Sequence, residues 1–358
     1  MFTPSQENDS DTFVIHNSLY AASEIGSMLR WQDQIGLKHL AIFTDIHESW
    51  DSFITRPQRK QLDTICRKYF IPRVALTGYS IDNELREHAK DQTSLFDILV
   101  SSGGTRIDIR YKDENKTELY VQDTEYEKTF ISNSFWNKDT VLEQSKSIIQ
   151  AYRNKYPNCQ FKFQKENGGT ELYRIGFHFF ASSLEERNEI YTAIQALFPH
   201  LRIVAAEDRD FNMQFRLDEW PRKFCLDIAA AHKLDAAQYI VNVLGIDNGL
   251  GIGNATNDLE FMLYTPHIMP VLVGGSTIDA HSIIDKMIVY DTSSPFVTLS
   301  LGSDVRKKAY IEQDTHQIAT QTTISVLKTI VHDILQQHPS IRVRSYLQNL
   351  YKDLKSIT

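Results

Sequence analysis

The stretch KHLAIFTDI (38–46) is a short apolar run that ends on an acid, the form of a strand buried on both faces of a parallel sheet. A second run of the same kind, PRVALTGYS (72–80), ends in a small-residue turn, and residues 57–70 between the two carry a helical pattern. Strand, helix and strand in that order predict an α/β architecture. Working outward, residues 17–35 place Leu19, Ile25, Met28 and Leu29 at helical spacing, and residues 1–12 read as a disordered tail. Downstream, LFDILVSSGG (95–104) and TRIDIRYK (105–112) read as strands with a glycine turn between them.

From about 115 to 220 the texture changes. A helical segment (135–154) precedes CQFKFQKENGGTELYRIGFHFFAS (159–182), which alternates and turns at Gly168–Gly169 as a hairpin does. SLEERNEIYTAIQALF (183–198) opens on a serine cap and two acids, and 202–217 alternates again. The doubly wound texture then returns with FCLDI (224–228), a helix through 233–244, GLGIGNATND (249–258) and MPVLVGG (269–275). The predicted fold is a doubly wound parallel sheet with an inserted α/β cap. Its parts are an N-terminal tail and helix (1–37), a core (38–114 and 221–335), a cap (115–220) and a C-terminal helical extension (336–358).

The length of 358 residues suits about two domains at roughly 150 residues each. A hydrophobic share of 42%, 23% charged residues and 11% aromatics exclude a disordered or fibrous chain. No apolar run approaches the ~20 residues of a membrane helix, and the polar, acidic N-terminal residues are not expected to act as a signal peptide. A net charge of −8 argues against nucleic acid as a partner. Cys66, Cys159 and Cys225 form neither a metal pattern nor an even disulfide set, so a reducing, cytoplasmic setting is expected.

In open parallel sheets, ligands bind beyond the carboxyl ends of the strands. Reactive side chains fall there in four segments: Asp45, Thr77, Lys233 and the group Asn254, Asn257 and Asp258. Each alone has an ordinary reading, as a helix cap, a turn residue or a solvated side chain. Their shared placement favours a site. The acidic run Glu207–Asp210 reads as a solvated turn, and the cluster Phe177–His178–Phe179–Phe180 reads as cap core rather than as a platform for a sugar. The segments 281–308 and 340–356 carry no functional signal.

At these residues the sequence resembles the haloacid dehalogenase superfamily, in the subclass with an α/β cap between its second and third motifs, and within it the sucrose-phosphate phosphatases. FTDIHES (43–49) stands where that family has a strand followed by Asp-x-Asp-x-Thr/Ser. LTGYS (76–80) matches its Thr-Gly-Arg-Ser turn, and FDILVSSGGTRIDI (96–109) matches its Asp-x-hydrophobic-x-x-Ser-x-Gly-Thr-x-Ile stretch. LDIAAAHKLDAA (226–237) matches the segment leading to the motif lysine, and GNATNDLEFM (253–262) matches Gly-Asp-x-x-Asn-Asp-x-x-Met. The resemblance spans about 38–335.

The resemblance implies a magnesium-dependent phosphatase acting on a small phosphorylated metabolite, a sugar phosphate above all. Asp45 would be the nucleophile, forming an aspartyl-phosphate. Mg2+ would sit among Asp45, the backbone carbonyl of His47, Asn254 and Asp258. Thr77, Gly78 and Lys233 would hold phosphate oxygens, with Ser49 and Asn257 in support. Three positions depart from the pattern. His47 replaces the acid that protonates the leaving group, a task an imidazole can perform near neutrality. Asn254 replaces a charged metal ligand and predicts weaker magnesium affinity, and Tyr79 replaces an arginine. A second reading therefore stands beside the first: a catalytically impaired relative that binds a phosphorylated ligand or a partner protein.

Overall fold

The computed structural model describes residues 18–46, 56–82, 84, 96–112, 118–132, 135–155, 161–163, 172–207, 221–273, 278–290, 296–302, 305–311 and 323–357. The expected tail at 1–12, the turn at Gly168–Gly169, His47 and Ser49 lie outside the described residues.

Among the described residues, fourteen strands form two sheets: β1 (Leu40–Thr44), β2 (Arg73–Leu76), β3 (Ile98–Ser101), β4 (Arg106–Lys112), β5 (Glu118–Gln122), β6 (Phe161–Phe163), β7 (Arg174–Ala181), β8 (Arg202–Glu207), β9 (Arg222–Ala229), β10 (Asn248–Gly253), β11 (Ile268–Leu272), β12 (Ile288–Tyr290), β13 (Phe296–Ser300) and β14 (Arg306–Ile311). The large sheet runs β12-β13-β14-β11-β10-β1-β2-β3-β4-β5. From β14 to β3 its neighbours pair in parallel, and antiparallel strands extend it at both ends. The segment 281–308, silent in sequence, supplies one of these extensions.

Every residue of β1 is buried, as a strand covered on both faces must be. Ala41 and Phe43 pack into one layer with Ile25, Leu29, Ile240 and Phe261. Leu40 and Ile42 pack into the other with Leu62, Ile330, Leu347 and Leu350. The second layer contains the helices Arg56–Lys68, Thr323–Gln337 and Ile341–Lys355, so the C-terminal extension is part of the core's covering.

The cap is a four-stranded antiparallel sheet ordered β6-β7-β9-β8. Phe177, Phe179, Phe224, Leu226 and Ile228 line one face of it, packed with Val141, Ile149, Ile190 and Ile194 of the helices Lys138–Lys155 and Leu184–Leu197. Ser183 caps the second of these helices by accepting from Glu186 N, as its sequence predicts. Two expected boundaries move. Strand β5, beyond residue 115, pairs with β4 in the large sheet. Strand β9, which contains FCLDI, pairs with β7 and β8 in the cap and not with the core. The reason lies in its alternation: Phe224, Leu226 and Ile228 are buried while Cys225 and Asp227 are half-exposed, the pattern of a one-sided antiparallel strand.

Candidate functional site

The chain runs from β1 to β2 and β3 on one side, then returns after the cap to β10 on the other side of β1. The strand order therefore reverses between β1 and β10, and it is beyond the carboxyl ends of strands at such a reversal that ligands bind in open parallel sheets. Asp45 follows β1 directly and donates its backbone N–H to Ile252 O at 3.0 Å. Thr44 pairs with Ile252 in register, so the chain beyond β10 brings Gly253 level with Asp45 and Asn254 one residue past it.

Lys233 is the first residue of the helix Lys233–Leu244 and is almost fully buried. Its Nζ donates to Asp45 Oδ1 at 2.8 Å and to Asp258 Oδ1 at 2.7 Å. Burial pushes the ammonium toward neutrality, but the Asp258 and Asp45 carboxylates outweigh it and hold Lys233 above its ordinary range. The other oxygen of Asp258 accepts from the backbone N–H of Ala255 at 3.2 Å and of Asn254 at 3.3 Å. Asp258 thus spends both oxygens inside the protein, tying the first turn of the helix Thr256–Tyr264 to Lys233.

Two glycines permit this convergence. A Cβ on Gly253 would lie 2.5 Å from Asp258 Cβ. Gly104 has φ +109, and a Cβ there would lie 2.1 Å from the carbonyl carbon of His232 and 2.4 Å from Lys233 N. The turn 102–104 can press against the start of the Lys233 helix only because residue 104 has no side chain.

Thr77 lies at the end of β2, fully buried, with its N–H on Val100 O at 2.9 Å. Its hydroxyl donates to Glu84 Oε1 at 2.6 Å, a partner with no sequence signal of its own. The Gly78 carbonyl accepts from Arg174 Nη1, on cap strand β7. Arg174 also clasps both carboxylate oxygens of Asp227 at 2.9 Å. A second cap arginine, Arg202, holds Asp235 of the core in a two-pronged pair at 2.6 and 3.0 Å. Asn257 is half-buried, and its Oδ1 is enclosed without a hydrogen-bond partner among the described residues.

Among solved structures, the sucrose-phosphatase of Synechocystis sp. PCC6803, in complex with sucrose and phosphate, is similar to this chain at 13% identity and a TM-score of 0.51, over 83% of this chain and 98% of that one. The chain has the haloacid dehalogenase fold with an α/β cap. A haloacid dehalogenase-like hydrolase from Bacillus subtilis aligns at 14% identity and a TM-score of 0.40, over 72% of this chain and 92% of its own. A haloacid dehalogenase subclass IIB sugar phosphatase aligns at 16% and 0.39, over 68% and 90%. No family model and no curated protein matches the chain.

The segments that follow β1 and β10 carry hard oxygen donors of the kind a magnesium ion takes: the Asp45 carboxylate, the Asn254 amide and the Asn257 oxygen, the last with no hydrogen-bond partner among the described residues. The set fits such a cation in kind and is lean in charge. Asp45 and Asp258 against Lys233 leave one net negative charge. Among the described residues, no group of three or more His, Cys, Asp or Glu side chains could hold a metal ion. No helix of the described residues is long and apolar enough to cross a membrane.

Proposed function

We propose that the chain is a magnesium-dependent phosphatase acting on a small phosphorylated metabolite, a sugar phosphate by its resemblance. One observation carries this reading: Lys233 joins Asp45 to Asp258 at the strand-order reversal, drawing three distant segments together at one ammonium. Asp45 attacks phosphorus through the oxygen opposite the one Lys233 holds. The P–O bond to the leaving alcohol breaks, and His47 supplies the proton that the alcohol needs. His47 then takes a proton from water, whose oxygen attacks the aspartyl-phosphate, freeing inorganic phosphate and restoring Asp45. Lys233 holds the Asp45 carboxylate in place. Asp45 and Asn254, with the backbone at His47, would hold magnesium, which neutralises charge on the phosphoryl group.

A second reading, a protein that binds a phosphorylated ligand or a partner without turning it over, draws on Asn254 and on the engagement of Thr77 by Glu84. A panel of p-nitrophenyl phosphate and sugar phosphates with magnesium separates the two. The phosphatase reading expects turnover that Asp45→Asn abolishes. It also expects a rate that peaks near the imidazole value of ~6.5, because His47 works in both protonation states. His47→Ala should cost about 10²–10⁴ in rate. An inactive wild type that gains turnover from His47→Asp with Asn254→Asp would identify the binding protein instead.

A further inference from the structure

The turn after β2 carries a buried acid for which the proposed reaction has no use. Glu84 is 2% exposed and takes the hydroxyl proton of Thr77 at 2.6 Å. The rest of the turn is also spent within the protein. Tyr79 N donates to Thr77 Oγ1 at 3.1 Å, Gly103 N to Thr77 O at 3.0 Å, and Ser102 N to Tyr79 O at 2.7 Å. Arg174 covers the Gly78 carbonyl. A threonine hydroxyl has one proton to give. A phosphoryl oxygen is an acceptor and needs that proton, so ligand and Glu84 compete for it. An acid at this distance also opposes the ligand's charge whenever it is ionised.

We propose that Glu84 is a specificity-determining residue: by holding the Thr77 hydroxyl it sets how tightly the site takes anionic phosphoryl oxygens. The inference rests on reading Asp45, Thr77 and Lys233 as a phosphoryl site. It follows that inorganic phosphate, which brings only such oxygens, is held weakly. Ligands that engage the cap through the rest of the molecule are favoured over it.

Calorimetric titration of the full chain with inorganic phosphate tests this. Glu84→Gln removes the charge but keeps an acceptor for Thr77, so its gain in affinity measures charge alone. Glu84→Met removes both and should bind phosphate about ten-fold more tightly than Glu84→Gln, the worth of one hydrogen bond to a charged group. That extra gain should vanish in the Thr77→Val background. Glu84→Leu is a second acceptor-free variant, and cooperative urea unfolding confirms that each variant is folded. Equal gains for Gln and Met, or an extra gain that survives Thr77→Val, overturn the role of Glu84 and leave the phosphoryl site standing. Phosphate binding absent from every variant, or indifferent to Lys233→Met, overturns the site itself and the inference with it.

Discussion

Lys233 determines the electrostatics of the site because it is the shared counter-ion of two buried acids. Removing one member of such a cluster leaves uncompensated charge, and Lys233→Met should cost about 3–5 kcal/mol in urea unfolding at pH 7. The pH dependence has a definite sign. In the wild type Lys233 is held above its ordinary value, so its contribution is complete below ~10.4 and is lost only as pH rises beyond it. The deficit of the variant should therefore hold steady up to the ordinary lysine range and shrink as pH is raised past it; a deficit that stays constant there would contradict the bridging role. Asp45, Lys233 and Asp258 were legible in the sequence because each stands at a strand or helix end. Glu84 and Arg174 were not, since their partners at Thr77 and Gly78 are chosen by which loops stack at the sheet edge.

Among the elements, the turn 102–104 couples β3 to the helix that starts at Lys233. Its Gly104 faces rigid backbone, with His232 O 2.4 Å from where a Cβ would stand, so no side-chain rotation relieves the clash. Gly104→Ala should cost about 2–5 kcal/mol, from left-handed strain together with overpacking. It should also weaken phosphate affinity by displacing Lys233, whereas alanine at Gly36, which has open space around it, should cost only the strain. Urea unfolding and phosphate titration of both variants check this. The glycine turn itself was readable in FDILVSSGGTRIDI, but not the helix terminus that it accommodates. For β9 the alternation of Phe224, Leu226 and Ile228 with Cys225 and Asp227 stands in the sequence, but it does not say which sheet the strand joins; pairing with β7 and β8 puts it in the cap.

Across the whole molecule, the C-terminal helix Ile341–Lys355 closes one layer of the core. Tyr346 donates to Tyr69 O at 2.7 Å, and Asp353 accepts from Lys68 at 2.6 Å and from Tyr69 at 2.7 Å. Lys68, and after it Tyr69, hold the Asp353 carboxyl below its ordinary range. A depressed acid stabilises the fold above its unfolded value of ~3.9, and that stability is lost as pH falls through the folded value. Asp353→Asn should therefore lower stability at pH 7 and leave it nearly unchanged near pH 2, as urea unfolding at the two pH values would show. The sequence by itself determined the run of strands, the inserted cap and the chain-order placement of the candidate site residues, because burial period and chain order are local properties. Only the tertiary structure decided that β9 belongs to the cap, that Arg174 and Arg202 tie cap to core, and that Glu84 holds Thr77. Those partners are chosen by the packing of segments distant in the chain, and a sequence pattern records what a residue needs buried or bonded without naming what will meet it.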